Sequence, residues 1–288
     1  MDNRPRYDDE MEVALVSDVR IKRWIRDYIL SKYGNQQGKM VYVREERDEK
    51  GKLLTRKNLL VKDLSNKNEK LETENIINTY IDIRLFGATL SIKDRDERSL
   101  IGPVQFRMGK SLNKAEILQF QGTTVFPTGK EKTQGSPTEW WGIRYGIFSV
   151  YGVVNFNNNK TNISKDDVKI MLEALTNLFS VDSAITRSKV GHRLIGIILV
   201  KGDKYIGNLD DYIALEKDRE NITYNVDQEG VGKKISPRDN IKLNITRLVE
   251  VVEKRGGEIR VLLNDGSGVK VEFNGEVSKV NSVEELME

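Results

Sequence analysis

The segment V-S-D-V-R-I-K-R-W-I-R, residues 16–26, predicts the first helix of the fold and one face of its core. Ser17 is a good N-cap and Asp18 is favoured by the helix macrodipole, so the helix is expected to begin at once. At about 100° per residue, apolar and cationic side chains fall on opposite arcs. The apolar arc carries Ile21, Trp24, Ile25, Tyr28 and Ile29, and the opposite arc carries Arg20, Lys22, Arg23 and Arg26.

The cationic arc supports two interpretations. Lys and Arg side chains, together with the free N–H groups of a helix N-terminus, can hold the phosphates of a polyanion. A charged helix face is more often simply solvated, and periodicity alone favours that interpretation. Because 47 Lys and Arg oppose 44 Asp and Glu, for a net charge of +3, any cationic surface must be local.

The composition excludes several chemistries. With 288 residues, the chain can form one large domain or two modest ones. The absence of cysteine excludes disulfides, thiolate metal sites and cysteine nucleophiles, and the single histidine, His192, excludes a His-rich zinc site. No nucleotide-binding or hydrolase motif is present, and no cofactor is predicted. No apolar run approaches the ~20 residues of a membrane span and no secretory segment follows Met1, so a cytoplasmic protein is expected.

Apolar patterning predicts an α+β fold, with an antiparallel sheet, helices on one face and long insertions. Strands are expected at 40–44, 80–88, 104–108, 143–156 and 194–200, and helices at 164–179, 209–216 and 245–255. The helix at 164–179 opens with a capping box, and strands 259–263 and 269–273 are expected to form a hairpin. The polar segment 44–78 is expected to lie over the surface as an insertion with little apolar face.

A long Gly-, Thr- and Lys-rich excursion spans 121–142 and leads into Trp140-Trp141 and Arg144-Tyr145. Long loops of this kind in compact domains are commonly functional. Aromatic rings beside cations can stack on nucleobases or wedge between them. The tryptophans can equally anchor the base of the loop on the sheet, and the sequence leaves both interpretations open.

Four segments in fixed order carry a family resemblance. They are D-N-R-P-R at 2–6 followed by the helix at 16–28, D-I-R-L-F-G-A at 82–88, G-P-V-Q-F-R-M-G-K-S-L-N at 102–113, and R-Y-G-I-F-S-V-Y-G at 144–152. Jointly they closely resemble the major backbone subunit of CRISPR Cascade complexes, a crRNA-binding protein of the RAMP superfamily, nearest to subtypes I-B and I-C. The resemblance covers roughly 2–193, with a looser match of the final helix and strand.

The resemblance implies one RAMP-like domain over 1–288, with a ferredoxin-like (RRM-related) palm built on an antiparallel sheet. A finger-like insertion is implied at about 44–78 and a thumb-like insertion at about 121–142. The subunit is implied to be non-catalytic: its copies polymerise along CRISPR RNA with other Cascade subunits, and guide bases are presented to a target DNA strand in antiviral defence.

The resemblance also implies functional residues, position by position. The implied RNA-binding residues are Arg4, Ser17, Arg20, Lys22, Arg23, Arg26, Gln105, Arg107, Lys110, Arg187, Ser188 and Lys189. The implied base-wedging residues of the thumb are Val125, Phe126, Trp140 and Trp141. Charge reversal at Lys22 and Arg26 is expected to abolish guide binding while leaving the fold intact.

The chain departs from the family pattern in two places. Relatives have a first palm strand and a G-N-P-N-G-D-P run before N-R-P-R, so this chain is expected to lack that strand or to supply it otherwise. At the thumb exit, T-E-W-W-G-I-R-Y-G stands where relatives carry T-M-G…H-x-V-P-Y-G. Two alternatives remain: a metal-dependent ribonuclease of the related type III lineage that uses a loop aspartate, and a stand-alone RNA-binding protein. Acidic clusters at 8–10 and 94–97 could bind a divalent cation, but such clusters are more often exposed loop charges.

Overall fold

The computed structural model of the chain describes residues 4–65, 70–93, 96–123, 137–158, 160–180, 190–202, 204–219, 222–225 and 240–288. The α-helices in these ranges are α1 (Asp18–Tyr33), α2 (Arg56–Ser65), α3 (Thr73–Thr79), α4 (Ile81–Phe86), α5 (Lys165–Thr176), α6 (Thr246–Glu253) and α7 (Val283–Met287). The strands are β1 (Arg6–Asp8), β2 (Val13–Val16), β3 (Gly87–Lys93), β4 (Asp96–Ile101), β5 (Val104–Phe106), β6 (Gly109–Ser111), β7 (Ile117–Thr123), β8 (Pro137–Ile143), β9 (Phe148–Ser149), β10 (Gly152–Val154), β11 (Gly196–Lys201), β12 (Ala214–Arg219), β13 (Ile222–Asn225), β14 (Asn240–Asn244), β15 (Glu258–Leu263), β16 (Lys270–Glu272) and β17 (Ser278–Val280).

The described strands form several small, mostly antiparallel sheets. One antiparallel sheet has the order β1-β2-β6-β9. Strand β5, which precedes β6 in the chain, pairs antiparallel with β10, which follows β9. Two antiparallel hairpins, β3–β4 and β7–β8, each pair strands that are consecutive along the chain. The mixed α+β class predicted from the sequence is confirmed.

The sheet of β11, β15 and β17 lies between two hydrophobic cores. Its middle strand β15 runs antiparallel to β11 and parallel to β17. Since side chains alternate across a strand, Ile197 and Leu199 face the core of α1, α4, α5 and α7, whereas Ile198 and Val200 face the core beneath α6. A sheet that is apolar on both faces therefore joins the N-terminal helices to the C-terminal part of the chain.

The first core confirms the two helices that the sequence predicts best. Ile21, Ile25 and Ile29 of α1 are buried against α5. Helix α5 begins at the predicted capping box: Ser164 Oγ accepts a hydrogen bond from the Asp167 N–H, and the Asp167 carboxylate accepts one from the Ser164 N–H. Both ends of this reciprocal pair satisfy N–H groups that a helix start would otherwise leave free.

The second core shows that the predicted C-terminal hairpin is wrong. Strand β15 pairs with β11, whereas β16 pairs in parallel with β14, in a sheet of order β13-β12-β14-β16. The turn between β15 and β16 is tied instead to the residue just before β11, because the Asn264 N–H donates to the Ile195 carbonyl. The predicted helix 209–216 is also wrong beyond one 3₁₀ turn at Leu209–Tyr212, since Ala214 onward pairs with β14 as β12. Helix α6 occupies the predicted 245–255 region.

A third core lies under the segment that was expected to be a surface insertion. Leu59, Leu60 and Leu64 of α2 are buried against Ile76 and Ile77 of α3. The expectation of little apolar face is therefore wrong, because the apolar positions are few but fall on facing sides of two short helices. This core is shared with the flanking elements, because it also contains Ile83 of α4 and Leu90 of β3, so the segment packs against them through an apolar face.

The alternating segment predicted as a strand at 80–88 is instead helix α4, followed by β3. The alternation of apolar and charged residues does not reflect a solvent face, because Asp82 is fully buried together with Ile81 and Ile83. Gly87, with φ +77°, ends the helix in a backbone conformation that L side chains rarely adopt. The strand predicted at 40–44 is reduced to one parallel bridge between Met40 and Tyr80.

Within the part of the chain that the structure describes, no helix is long and apolar enough to cross a membrane.

Candidate nucleic-acid interface

Two cations stand in one cross-strand row of the β1-β2-β6-β9 sheet. The register places Arg6 opposite Leu15, Leu15 opposite Lys110, and Lys110 opposite Ser149. Because directly paired residues project from the same face of a sheet, these side chains share one face. Arg6 is exposed and Lys110 is half-buried, and neither forms an ion pair with another described residue. This face therefore offers positive charge that the described fold does not neutralise.

The start of α1 lies at the edge of the same face. Strand β2 ends at Val16, which pairs with Gly109, and Ser17 follows directly as the N-cap of α1. The Ser17 carbonyl accepts hydrogen bonds from the Arg20 and Ile21 N–H groups at 3.0 and 3.2 Å, but its hydroxyl makes no capping bond. A hydroxyl that makes no capping bond and the N–H groups of a helix start thus lie next to the strand that carries Lys110.

The G-P-V-Q-F block is held close to α4 by two glycines. A Cβ added to Gly102 would lie 2.4 Å from the Gly87 N, and one added to Gly87 would lie 2.0 Å from the Leu100 carbonyl oxygen. This close approach sets the position of β5, on which Gln105 is exposed and donates from Nε2 to the Gly102 carbonyl at 2.8 Å. Arg107, which follows β5, is also exposed.

The four cations of the predicted arc do not share one open surface. Arg20 is exposed, and Arg23, half-exposed, pairs with Asp27 at 2.7 Å. Lys22 and Arg26 instead lie over the Phe86 ring, 5.7 and 5.1 Å from its centroid. One continuous solvated arc is therefore the wrong description of α1, although RNA contact by each of these residues stays a prediction.

Arg26 belongs to a buried ion pair that the sequence analysis missed. Its Nε lies 2.7 Å from Oδ2 of Asp82, and only 11% of the Arg26 side chain is exposed. The Asp82 carboxylate also accepts hydrogen bonds from the Tyr42 N–H at 2.7 Å and the Val43 N–H at 3.1 Å. Charge reversal at Arg26 would place two carboxylates in contact inside the protein, so we expect this change to destabilise the fold rather than leave it intact.

The other charged residue of the D-I-R-L-F-G-A segment is also structural. Arg84 forms two hydrogen bonds to the Asp167 carboxylate, at 3.0 and 2.8 Å, and donates to carbonyls of Gly38, Ile77 and Asn78. It thereby links α4, α3 and the start of α5. A signal existed in the sequence: Asp and Arg inside an otherwise apolar run are buried only when they are paired.

The β7–β8 hairpin presents aromatic rings on both faces. Phe120 and Trp140 are directly opposite in the register, and their rings stack at a centroid distance of 3.9 Å and an angle of 12°. Trp140 is 37% exposed. On the other face, the Arg4 guanidinium lies 5.2 Å from the Trp141 ring centroid. Each interpretation of the tryptophan pair therefore fits one residue. Trp140 is exposed at the surface, as stacking on a base requires, whereas Trp141 packs against the segment that precedes β1.

Several predicted residues lie outside the described ranges: Val125, Phe126, Arg187, Ser188 and Lys189. Among the described residues, no group of three or more His, Cys, Asp or Glu side chains is placed to hold a metal ion. In the 8–10 cluster, Asp8 Oδ1 accepts hydrogen bonds from the Glu10 and Met11 N–H groups, so this carboxylate closes a turn.

An α+β fold with a cationic sheet face and a hairpin that displays an aromatic stack has features typical of nucleic-acid-binding proteins. The family model of CRISPR-associated protein Cas7 matches residues 1–242, and the chain belongs to this family.

Two known proteins illustrate the relationship. The chain is 28% identical over 296 aligned positions to the CRISPR-associated protein Cas7 of Haloferax volcanii, covering 93% of this chain and 81% of the relative. Its fold is similar to a chain of the solved CRISPR RNA-guided surveillance complex, pre-nicking, with a TM-score of 0.55 and 12% identity, covering 99% of this chain and 95% of that one.

Proposed function

We propose that this chain is a guide-RNA-binding subunit whose copies polymerise along CRISPR RNA to form the backbone of a type I Cascade complex. The observation that carries the proposal is the uncompensated pair Arg6 and Lys110 on one face of the β1-β2-β6-β9 sheet, in a chain of the Cas7 family. Other Cascade subunits and a target DNA strand are the further partners, and the complex acts in the cytoplasm. The subunit itself is proposed to be non-catalytic.

The palm of the proposed subunit binds the guide through its phosphates. Arg and Lys contacts to a backbone give affinity without reading sequence, as a subunit that accepts any guide requires. The Ser17 hydroxyl, which makes no capping bond, and the exposed Arg20 and Arg107 extend the cationic face along one edge. Gln105 would contact the same strand from β5.

The β7–β8 hairpin is the proposed thumb. A ring displayed beside the guide can stack on a base or separate two neighbouring bases, and such stacking contributes roughly 1–3 kcal/mol per base. Trp140, backed by Phe120, is suited to this role by its exposure. Val125 and Phe126 of the same excursion remain candidates for the wedge.

The proposal includes the architecture that the family resemblance implies. A ferredoxin-like palm would use α1 and α5, which pack together in the first core, with a finger at about 44–78 and a thumb at about 121–142. The core that α2 and α3 share with α4 and β3 supports treating the finger as an insertion packed on a single domain over 1–288.

The test is charge reversal on the sheet face. The double variant Arg6→Glu with Lys110→Glu is expected to lose guide binding by more than about 100-fold, because two phosphate contacts are replaced by repulsion. The matched control is Lys254→Glu with Lys270→Glu, two exposed lysines of the second core region with the same change in charge. Binding is measured by fluorescence anisotropy of labelled guide RNA, and assembly by size-exclusion chromatography.

Equal losses in both double variants would show that only net charge matters, and the sheet face would not be the guide site. A magnesium-dependent assay on paired target RNA checks the non-catalytic part of the proposal. Periodic cleavage products would contradict it in favour of the ribonuclease alternative.

A further inference from the structure

The loop that follows β16 contains the only Asn-Gly pair in the sequence, Asn274-Gly275. Both residues are exposed, and Gly275 has a φ of +107°, which is a backbone conformation that favours glycine. The loop lies against α6 through two hydrogen bonds, one on either side of Gly275. The Asn274 N–H donates to Thr246 Oγ1 at 3.2 Å, and the Glu276 N–H donates to Glu253 Oε1 at 2.6 Å.

The two groups of this pair that could react with each other are both unoccupied. The Asn274 side-chain amide and the Gly275 backbone N–H form no hydrogen bond to any residue that the structure describes. Because glycine has no Cβ, no side chain on residue 275 obstructs the approach of its nitrogen to Cγ of Asn274. The loop therefore presents an electrophilic amide carbon next to a nitrogen that the fold does not use.

The Asp265-Gly266 pair in the preceding turn provides a contrast. Its sequence would allow the same attack on a side-chain carboxyl group, but the Gly266 N–H donates to Oδ1 of Asn264 at 3.1 Å. Asn264 is itself held, because its Nδ2 donates to the Leu194 carbonyl at 2.8 Å. The nitrogen of this second pair is thus occupied within the fold.

Asn281 provides a second contrast. It is exposed, but the next residue is Ser282, which has a side chain and is the N-cap of α7. The Ser282 hydroxyl accepts a hydrogen bond from the Glu285 N–H at 3.2 Å, so its backbone is fixed by the helix start. Of these three sites, Asn274 is the one at which exposure, a free amide and an unobstructed nitrogen coincide.

We propose that Asn274 is a site of spontaneous deamidation, with water as the only co-reactant. The Gly275 nitrogen loses its proton to solvent and attacks Cγ of Asn274, so that a new N–Cγ bond closes a succinimide ring. The Cγ–Nδ2 bond breaks, and the amide nitrogen takes up a proton and leaves as ammonia. Water then adds to either carbonyl of the ring and yields aspartate or isoaspartate at position 274.

The two products affect the loop differently. Aspartate adds a negative charge beside the start of α6, whose first turn has no acidic residue, and the helix macrodipole favours a negative charge there. Isoaspartate instead adds a methylene group to the backbone between the hydrogen bonds to Thr246 and Glu253. Since the loop was fitted to α6 at both points, the longer backbone cannot keep both bonds without displacing Val277, which packs on the second core.

The test follows three consecutive tryptic peptides of the full chain, residues 261–270, 271–279 and 280–288, which carry the three sites. The purified protein is held at mildly alkaline pH, and an unaged sample digested in parallel gives the background. Deamidation is measured by mass spectrometry, and isoaspartate by its enzymatic carboxyl methylation. Synthetic peptides 261–270 and 271–279 show how fast each site reacts when no fold is present.

Peptide 271–279 is expected to deamidate in the folded protein as fast as the synthetic peptide does. Its rate should rise about tenfold per pH unit, because the deprotonated amide is the attacking group. Isoaspartate at Asp265 should form about fivefold more slowly in the protein than in the synthetic peptide, since the hydrogen bond of Gly266 must first break. The control variant Asn274→Gln should keep its amide, because the longer side chain closes a ring less readily.

The assignment is overturned if Asn274 in the folded protein reacts no faster than Asn281. It is also overturned if folding slows Asn274 as much as it slows Asp265, since the fold would then protect both sites alike.

Thermal unfolding tests the effect on the loop. The aged protein should unfold at a lower temperature than both the fresh protein and Asn274→Asp, because only the aged protein contains the longer backbone. Equal midpoints for the aged protein and Asn274→Asp would refute the predicted loss of the hydrogen bonds to α6.

Discussion

Replacing Arg26 by methionine is expected to lower the free energy of unfolding by about 3–5 kcal/mol, the usual cost of removing one partner from a buried ion pair. The change leaves the Asp82 carboxylate, 0% exposed, with two backbone N–H donors among the described residues. Methionine is chosen because its unbranched side chain can still pack over the Phe86 ring, which Arg26 now covers at 5.1 Å. The measured loss then reports mainly the uncompensated buried charge.

Lys22→Met is the matched control on the same helix. Lys22 also lies over Phe86 and also has a carboxylate partner, Asp18 at 3.2 Å, but that carboxylate is 37% exposed. An ion pair at i,i+4 with an accessible carboxylate contributes about 0.3–0.5 kcal/mol, so the control is expected to lose less than about 1 kcal/mol.

Urea unfolding followed by far-UV circular dichroism at neutral pH, with RNA removed, gives both free energies from the midpoint and slope of the transition. If Arg26→Met and Lys22→Met lose the same stability within about 1 kcal/mol, the structural role assigned to Arg26 is refuted. Arg26 would then be free to contact RNA, as the family resemblance alone implies.

Two further outcomes are expected. Gly102→Ala should lower the thermal midpoint of unfolding by several degrees, because its Cβ would lie 2.3 Å from the Phe86 backbone carbon. The control Gly202→Ala, whose Cβ would come no closer than 3.7 Å to a neighbouring atom, should change the midpoint little. Equal midpoints for the two variants would contradict the close packing of β5 on α4. Burial, helped by Tyr205, raises the Tyr151 pKa to about 12, so between pH 10 and pH 12 the unfolded chain gives up a proton that the folded chain keeps, and stability should fall as pH rises. Stability measured across that range should fall less steeply in Tyr151→Phe, and an unchanged slope would show that Tyr151 does not titrate this way.

The sequence predicted those helices whose limits depend on neighbouring residues alone. The 3.6-residue period of α1 and the reciprocal cap of α5 are properties of neighbouring residues, and both appear in the structure as expected. The turn at Asn264 looked like a hairpin by the same kind of local signal. Its strands pair elsewhere, because partners are chosen by burial against distant parts of the chain, which no local pattern encodes.

In the candidate site, too, the sequence shows which residues are charged but not which distant residues they contact. The sequence shows where the cations are, but whether each one is free or paired depends on contacts across the fold. Asp82, 56 positions from Arg26 in the sequence, decides that Arg26 is buried. Tyr42 and Arg56 line one open groove, and nothing near either residue in the sequence indicates that the fold brings them together.

The sheet shared by two cores has a consequence for synthesis. Strand β11 leaves the ribosome well before its partner β15, and at about 5–20 residues per second the gap lasts several seconds. During that time β11 is an apolar strand with an unpaired edge, a state that invites aggregation and recognition by chaperones. Neither core that borders the sheet can close before β15 arrives, so a nascent or prematurely terminated chain is expected to be removed by quality control rather than incorporated into an assembly.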